Sequence, residues 1–332
     1  MRAVVLGVAA LALALTGCGD GQTGTPKPPP GVSQSQFERQ LADAAKVTTA
    51  DFQPARGRTL EQIASESSAQ IQLALATSIF EPGANRLAFG LLDSENRLVY
   101  GRSAVYLADR PGGRARGPYP APADALVTEP AFRSRYAARE ADRIAAIYAA
   151  QVPLRRAGRQ AVLVLTKTAA GIVAGTTEIQ VQRDHGIPRV GERPPAVDTD
   201  TVASAGGDEE AVDTRVPPAP ELHRTSLRDV LGRRPVALLF ATPRLCESRT
   251  CGPVVDIALQ LRAEYGDQIE FIHQEVYVDN QVDKGLREPL RAFKLISEPW
   301  LFTIKADGTV AARLEGSFGV RAFREALDAA LR

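Results

Sequence analysis

The sequence predicts two folded domains, an N-terminal antiparallel β-sandwich and a C-terminal α/β domain. Three observations support this prediction. The chain has 332 residues, which is more than one ordinary hydrophobic core organises. Its middle contains short strand-like segments separated by turns, whereas its last third alternates strand and helix patterns. A stretch rich in Pro and acidic residues separates these two parts.

The composition excludes several classes of protein. With 44% apolar and 24% charged residues, the chain has the balance of a globular protein and not of a disordered or collagen-like one. Its 40 basic and 39 acidic residues leave a formal charge of +1, so no nucleic-acid partner is predicted. Three cysteines, Cys18, Cys246 and Cys251, are too few for a disulfide-stapled scaffold or a four-thiolate zinc site.

An export signal is predicted in residues 1–17. A single basic residue precedes an apolar run from Ala3 to Leu15, which is shorter than the ~20 residues of a membrane-spanning helix. Leu15-Thr16-Gly17-Cys18 resembles the lipobox of bacterial lipoproteins. The resemblance implies that Cys18 receives a diacylglycerol and anchors an extracytoplasmic protein to a membrane, with residues 18–34 as a flexible Gly/Pro tether. The alternatives are an ordinary secretory signal with an incidental cysteine, or a buried first helix.

Short helices are predicted in residues 35–69 and the β-sandwich in residues 70–184. From Gln70 the apolar residues recur at every second position, as in a half-buried strand. Frequent turns between short strands favour an antiparallel sandwich that resembles the immunoglobulin fold. We expect one helix inside this region, from Phe132 to Ala145, and an irregular loop at residues 110–122. Since the region contains no cysteine or histidine cluster, it is interpreted as a structural or binding module.

A disordered linker is predicted in residues 185–221. Its Pro, Gly and acidic residues, including the run from Ala203 to Glu210, provide too little apolar surface for a packed element. The α/β domain follows in residues 222–332, with the order strand, helix, strand, helix, hairpin, helix. Its first strand, the continuous apolar run from Val236 to Phe240, is typical of a strand buried on both faces.

Three motifs in the last third resemble the thioredoxin fold. Cys251-Gly252-Pro253 follows a buried strand and begins a helix, like the first three residues of the thioredoxin active site. Glu298-Pro299-Trp300 stands where that family has its cis-proline. The hairpin residues Asp307 to Val310, with Gly316 after the last strand, fit the end of the fold.

Thiol–disulfide exchange through Cys251 and Cys246 is the predicted activity, with extracytoplasmic protein thiols and disulfides as partners. A helix N-terminus stabilises a thiolate, so Cys251 is expected to attack and Cys246 to resolve the mixed disulfide. Five residues along one helix would point the two side chains ~140° apart, so Cys246 is expected in a loop that folds back. The resemblance implies that a partner docks in a groove of four residues: Pro299, expected to be cis, Gly252, Pro253 and Trp300. For Trp300, packing in the core is the favoured alternative.

The chain departs from the thioredoxin pattern at three positions. Val254 replaces the second active-site cysteine of that family, so Cys246 must be the partner of Cys251. Leu239 stands where the family has its buried acid, so no general base is expected there. Glu298 places a negative charge near the thiols, which raises a thiol pKa.

Two other interpretations remain open. One is a structural disulfide in a non-catalytic thioredoxin-like binding or scaffold domain. The other is a copper carrier that resembles the Sco-type chaperones, because thiolates suit Cu(I). The histidines His185, His223 and His273 do not stand where a ligand of that family is expected, so each is predicted to be solvated or part of the core. No cofactor and no metal site is predicted.

Overall fold

The computed structural model describes residues 28, 32–135, 144–246 and 250–332. The predicted signal segment, Cys18 and most of the tether lie outside these residues, as does most of the helix predicted from Phe132 to Ala145. The helices are α1 Gln34–Ala44, α2 Leu60–Ala64, α3 Glu209–Val212, α4 Leu227–Val230, α5 Cys251–Tyr265, α6 Glu288–Ala292 and α7 Val320–Leu331. The strands are β1 Ala69–Gln70, β2 Gln72–Leu75, β3 Gly83–Leu92, β4 Arg102–Ala108, β5 Arg116–Pro120, β6 Ala123–Ala125, β7 Ala146–Leu154, β8 Gly158–Thr168, β9 Gly171–Val181, β10 Val236–Phe240, β11 Glu270–Gln274, β12 Trp300–Ile304 and β13 Val310–Glu315.

Two sheets of the N-terminal half share one core. The first sheet has the order β1-β9-β8-β4-β5 and the second β2-β3-β7-β6, and only β1 beside β9 is parallel. Val105 and Val164 of the first sheet meet Phe89 and Tyr148 of the second in this core. The predicted antiparallel sheets are therefore confirmed. The strand order does not establish immunoglobulin-like connections, which stay a prediction.

The segment from residue 110 to residue 122 contains β5, so the prediction of an irregular loop is wrong. β5 lies at the edge of the first sheet, beside β4. Because no strand of the described residues pairs with its outer side, the missing N–H groups of Pro118 and Pro120 remove no hydrogen bond on that side. The Arg116 guanidinium donates to the Asp109 carboxylate at 2.7 Å and to the Pro153 carbonyl at 3.0 Å. These bonds hold the segment against the sheet.

The third sheet forms the centre of the C-terminal half. Its order is β11-β10-β12-β13, with β10 parallel to β11 and antiparallel to β12. Leu239 of β10 packs with Ile257 of α5 and Phe323 of α7, whereas Leu238 packs with Leu290 of α6 on the other face. The first strand is thus buried on both faces, as predicted. The predicted order of strands, helices and hairpin is also confirmed.

The connecting segment, residues 185–221, is ordered, so the prediction of a disordered linker is wrong. Its few apolar residues are far apart in sequence, but Ile187 and Val197 are buried beside the third sheet. Its polar groups bond to the edge of that sheet. The backbone N–H of Thr214, for example, donates to the Glu275 carboxylate at 2.8 Å. Such bonds satisfy the backbone of a segment that forms little regular structure.

The two halves of the molecule are joined by a buried interface. Leu126 and Ile147 of the N-terminal half pack in the same core as Leu261 and Phe323 of the C-terminal half. The interface therefore continues the core of the α/β domain onto the second sheet. Within the described residues, no helix is long and apolar enough to span a bilayer.

Asp124 of β6 caps α7 across this interface. Its carboxylate accepts the backbone N–H groups of Gly319 at 3.1 Å, Arg321 at 2.9 Å and Ala322 at 3.0 Å. The first N–H groups of a helix have no acceptor within the helix. The last helix therefore obtains its cap from the first half of the chain.

The end of β13 makes a second set of contacts across the interface. The Ser317 N–H donates to the Ala76 carbonyl at 3.1 Å. The Glu315 carboxylate accepts the Ser78 N–H at 2.9 Å and the Ser297 hydroxyl at 3.0 Å. Backbone and carboxylate bonds thus hold the two halves in register beside the cis-proline loop.

Candidate functional site

Cys246 and Cys251 are brought together at the start of α5. Cys251 is the first residue of the helix, and Cys246 lies in the loop that follows β10. The two side chains are within hydrogen-bonding reach of each other, and both are free thiols in this structure. The loop folds back as the sequence predicts. Residues 247–249, between the two cysteines, lie outside the described part of the chain.

Accessibility and acidity distinguish the two thiols. Cys251 is 0% exposed, whereas Cys246 is half-buried. Burial raises the pKa of Cys251 well above its usual value, and the contact with Cys246 and the charge of Glu298 raise it further. The backbone N–H of Thr242 lowers that pKa, but by less. The net pKa of Cys251, which the sequence leaves open, is therefore raised, because desolvation outweighs the stabilisation of a thiolate by the helix N-terminus. The expected effect of Glu298 is confirmed.

Three of the four predicted groove residues surround the start of α5. The Glu298–Pro299 peptide bond is cis, as predicted. The Pro299 carbonyl accepts the Gly316 N–H at 2.9 Å, which ties the proline loop to the end of β13. Gly252 and Pro253 are half-buried in the first turn of the helix.

Trp300, the fourth predicted groove residue, belongs to the core. Its side chain is 1% exposed and stacks on Phe302 with ring centroids 5.5 Å apart. Its indole N–H donates to the Ser297 hydroxyl at 3.1 Å. The groove assignment of Trp300 is therefore wrong, because the inward face of β12 places the ring among apolar side chains.

A cavity of about 1460 Å³ lies between the two halves of the molecule. Thr250 and Glu298, which precede the buried cysteine and the cis-proline, line one wall. Leu98 and Ile147 are among the apolar residues of the opposite wall. The N-terminal half thus contributes surface directly beside the cysteine pair, which the sequence does not predict.

A buried acid that the sequence analysis missed lies close to the cysteines. Glu275 follows β11 and lies near the hydroxyl of Thr242. The backbone N–H of the same threonine faces Cys251. Burial raises the pKa of Glu275 to about 7, although hydrogen bonds from Thr214 lower it. Leu239, which stands where the thioredoxin family has its buried acid, is apolar and packed in the core. The available signal was a glutamate directly after a predicted strand.

A cluster of Asp213, His223 and His273 was also missed. All three are buried, and one ligating atom of each lies within 4.8 Å of the others, so they could hold a metal ion. Burial lowers the pKa of His273 to about 4, so its imidazole is neutral at physiological pH. His223 and His273 were each predicted to be either solvated or part of the core, and both are core residues. Their convergence could not be predicted, because Asp213 stands in the segment that was expected to be disordered.

Comparison with known proteins identifies no family for this chain. No family model matches it, and no curated protein matches it. The structure of a thiol:disulfide interchange protein DsbE from Chlorobium tepidum is similar over 44% of this chain and 99% of that chain, with 16% identity and a TM-score of 0.31. An endo-β-1,4-mannanase from Thermotoga petrophila is similar over 37% of this chain and 22% of that chain, with 9% identity and a TM-score of 0.20. Both likenesses are weak, and the functional interpretation depends on the chain's own residues.

Proposed function

We propose that the C-terminal half is a thioredoxin-like domain that exchanges thiols and disulfides with extracytoplasmic proteins. The observation that carries this proposal is the contact between a partly accessible thiol, Cys246, and a buried thiol, Cys251, at the start of a helix. The cis peptide bond before Pro299 stands beside them in the fold. A dithiol with one reachable sulfur can react with a partner and then close on itself.

The accessible thiol reacts first. In the reducing direction, the Cys246 thiolate attacks one sulfur of a partner disulfide, and the other partner sulfur leaves as a thiolate and takes a proton. Cys251 then loses its proton and attacks the Cys246 sulfur, so that the mixed disulfide breaks and the partner sulfur that was bonded to Cys246 leaves and is protonated. Two electrons pass to the partner, and the chain keeps a Cys246–Cys251 disulfide. The reverse sequence oxidises a partner dithiol.

This order of events reverses the roles expected from the sequence. A partner cannot reach Cys251, because its side chain is fully buried. The raised pKa of Cys251 also disfavours it as the first nucleophile, since the thiolate is the reactive form. Burial suits the resolving role instead, because the sulfur it attacks is already in contact with it.

Trapping of mixed disulfides tests the proposal. Cys251→Ser leaves Cys246 without its resolving partner, and we expect it to accumulate disulfide-linked partners that a reductant releases. Cys246→Ser is the matched control and should trap none, because its remaining thiol is buried. Equal trapping by both variants would contradict the division of roles. No trapping by either would contradict the exchange function.

Membrane anchoring through Cys18 is a second part of the proposal. The lipobox-like Leu15-Thr16-Gly17-Cys18 supports it. Cys18→Ser should release the chain from the membrane fraction, because two acyl chains account for stable anchoring. Metabolic labelling with a fatty acid should mark the unaltered chain and not the variant. A variant that stays in the membrane fraction would contradict the anchor.

A structural disulfide is the second candidate function. The complete burial of Cys251 favours it, because buried cysteines are usually unreactive. The reduction potential of the pair separates the two candidates. Values of roughly −120 to −270 mV belong to exchange proteins, and values below about −300 mV belong to structural disulfides. A Cu(I) carrier would instead bind copper through the reduced pair, which the same preparation can test.

A further inference from the structure

Three ligating side chains from distant parts of the chain converge inside the C-terminal half. Asp213 follows α3, His223 precedes α4, and His273 lies on β11. The His223 Nε2 and His273 Nδ1 atoms are 3.2 Å apart. The Asp213 carboxylate lies 3.6 Å from His223 Nε2 through Oδ2 and 3.7 Å from His273 Nδ1 through Oδ1. We propose that these three side chains bind a divalent transition-metal ion of the zinc type.

The size of this triangle fits a tetrahedral ion. Zinc binds imidazole nitrogen and carboxylate oxygen at about 2.0–2.2 Å, which places two ligands of a tetrahedron roughly 3.3–3.6 Å apart. The spacing between His223 Nε2 and His273 Nδ1 lies close to that range, and so does the shortest spacing from each histidine to Asp213, which involves Oδ2 for His223 and Oδ1 for His273. With one carboxylate oxygen serving both histidines, all three ligand atoms lie within 4.8 Å of one another. Two imidazoles and one carboxylate are also a donor set that suits zinc among the divalent ions.

The groups around the triangle hold the ligands in a metal-binding state. His273 Nε2 lies 3.0 Å from the Ala241 carbonyl oxygen, which can only accept, so the proton is on Nε2 and the lone pair of Nδ1 faces the cluster. The Asp213 carboxylate accepts the N–H groups of Arg215 at 2.9 Å and Ala219 at 2.8 Å. Both ligands are therefore oriented by bonds to the backbone.

One hydrogen bond can form inside the cluster, from the Nε2–H of His223 to His273 Nδ1 at 3.2 Å. It leaves the Asp213 carboxylate 3.7 Å from the same Nδ1, so that two acceptor atoms still face each other. A cation at the centre satisfies all three acceptor atoms together.

The charge of the surroundings also favours a cation. Asp213 is buried, and among the described residues the basic side chains within ion-pair distance of it are His223 and His273. The nearby Arg215 guanidinium is already bonded to the Asp256 carboxylate at 2.9 Å. A dication offsets a buried negative charge that is otherwise costly.

Metal content and cobalt spectroscopy test this site on the full chain. After treatment with a chelator and dialysis, the protein should take up one Zn²⁺ per chain and melt at a higher temperature. Co²⁺ should give the visible bands of a tetrahedral site without sulfur-to-cobalt charge transfer, because the ligands are nitrogen and oxygen. Failure of the unaltered protein to bind Zn²⁺ or Co²⁺ would overturn the proposal, whatever the variants do.

Variants assign the binding to these ligands. Asp213→Asn and His223→Gln keep side chains of similar size while removing a ligand atom, and each should weaken Zn²⁺ binding at least tenfold. His185→Gln, in the third histidine of the chain, is the matched control and should bind as the unaltered protein does. Replacement of both Cys246 and Cys251 by Ser should also leave one ion bound. Loss of zinc in that double variant, with binding retained in His223→Gln, would assign the ion to the thiols and overturn the proposal.

Discussion

Gly316 lies against the carbonyl oxygen of Ala76, so closely that a Cβ on the glycine would stand 1.7 Å from that oxygen. Its φ of 72° is in the left-handed region. Gly316→Ala should therefore destabilise the protein by about 3 kcal/mol or more, combining the roughly 1–2 kcal/mol of an unfavourable φ with the cost of moving the two halves apart. Equilibrium unfolding in urea measures this loss.

Gly112→Ala is the control for that substitution. Gly112 has a similar φ of 69°, but no atom lies within 4 Å of the position its Cβ would take. Its cost should therefore be the backbone term alone, about 1–2 kcal/mol. Equal losses for the two variants would show that the contact with Ala76 contributes nothing.

Asp124→Ala should destabilise the last helix. The substitution leaves three N–H groups at the start of α7, one buried and two partly buried, without their charged acceptor, and we expect a loss of about 2–3 kcal/mol. Asp208→Ala removes an exposed cap, a single bond of 3.2 Å to the Ala211 N–H, and should cost about 1 kcal/mol. Urea unfolding followed by circular dichroism compares the two. A loss for Asp124→Ala no larger than that for Asp208→Ala would contradict the role of the cap.

Glu81 should make stability depend on pH in the acid range. Burial opposes the charge of Glu81, but the His185 N–H and the Arg189 and Arg313 guanidinium groups lower its pKa below the ordinary value of 4.5. A carboxyl group whose pKa is lower in the folded state than in the unfolded state stabilises the folded protein at pH values above the unfolded pKa. This stabilisation is lost as the pH falls through the folded pKa. Glu81→Gln should therefore cost about 1.5–3 kcal/mol at pH 7 and progressively less below pH 4.5.

Urea unfolding at several pH values measures this difference. Glu95→Gln is the control, because Glu95 is 66% exposed and pairs with Arg97 at the surface, where an ion pair contributes less than about 1 kcal/mol. A loss for Glu81→Gln that stays constant from pH 7 to pH 3 would contradict the assigned charge.

The two thiols should differ in their rates of alkylation. In the reduced protein Cys246 should react first, because Cys251 is fully buried. In Cys246→Ser, the rate at Cys251 should rise about tenfold per pH unit up to and beyond pH 9, because only the thiolate reacts and the pKa is raised. Mass spectrometry after timed labelling gives both rates, and unfolded protein is the control in which both react. Faster labelling of Cys251 than of Cys246 would contradict the assignment.

Local patterns in the sequence predicted the elements that carry the cysteines. The apolar run of β10, the Cys-Gly-Pro start of α5 and the proline before Trp300 each depend on neighbouring residues. The same kind of reasoning left both a groove and a core position open for Trp300, since its burial depends on the side chains of other strands. It also left the net pKa of Cys251 open, because desolvation depends on the whole fold.

Long-range contacts explain the other failures. The bond from Thr214 to Glu275 joins residues 61 positions apart, and the contact between His223 and His273 spans 50 positions. The pattern of apolar residues in the connecting segment does not indicate such distant partners. Its composition resembles that of a disordered linker, although the folded sheet provides specific acceptors for its polar groups.

The cap that Asp124 places on α7 limits how this domain can be reused. Thioredoxin-like units are often treated as interchangeable modules that fold alone and can be fused to a new carrier. Here the final helix begins on a carboxylate from another sheet, and residues before position 222 cover an edge of the central strands. Excision at residue 222 would remove both, so the C-terminal half should be transferred to a new carrier only together with its N-terminal partner.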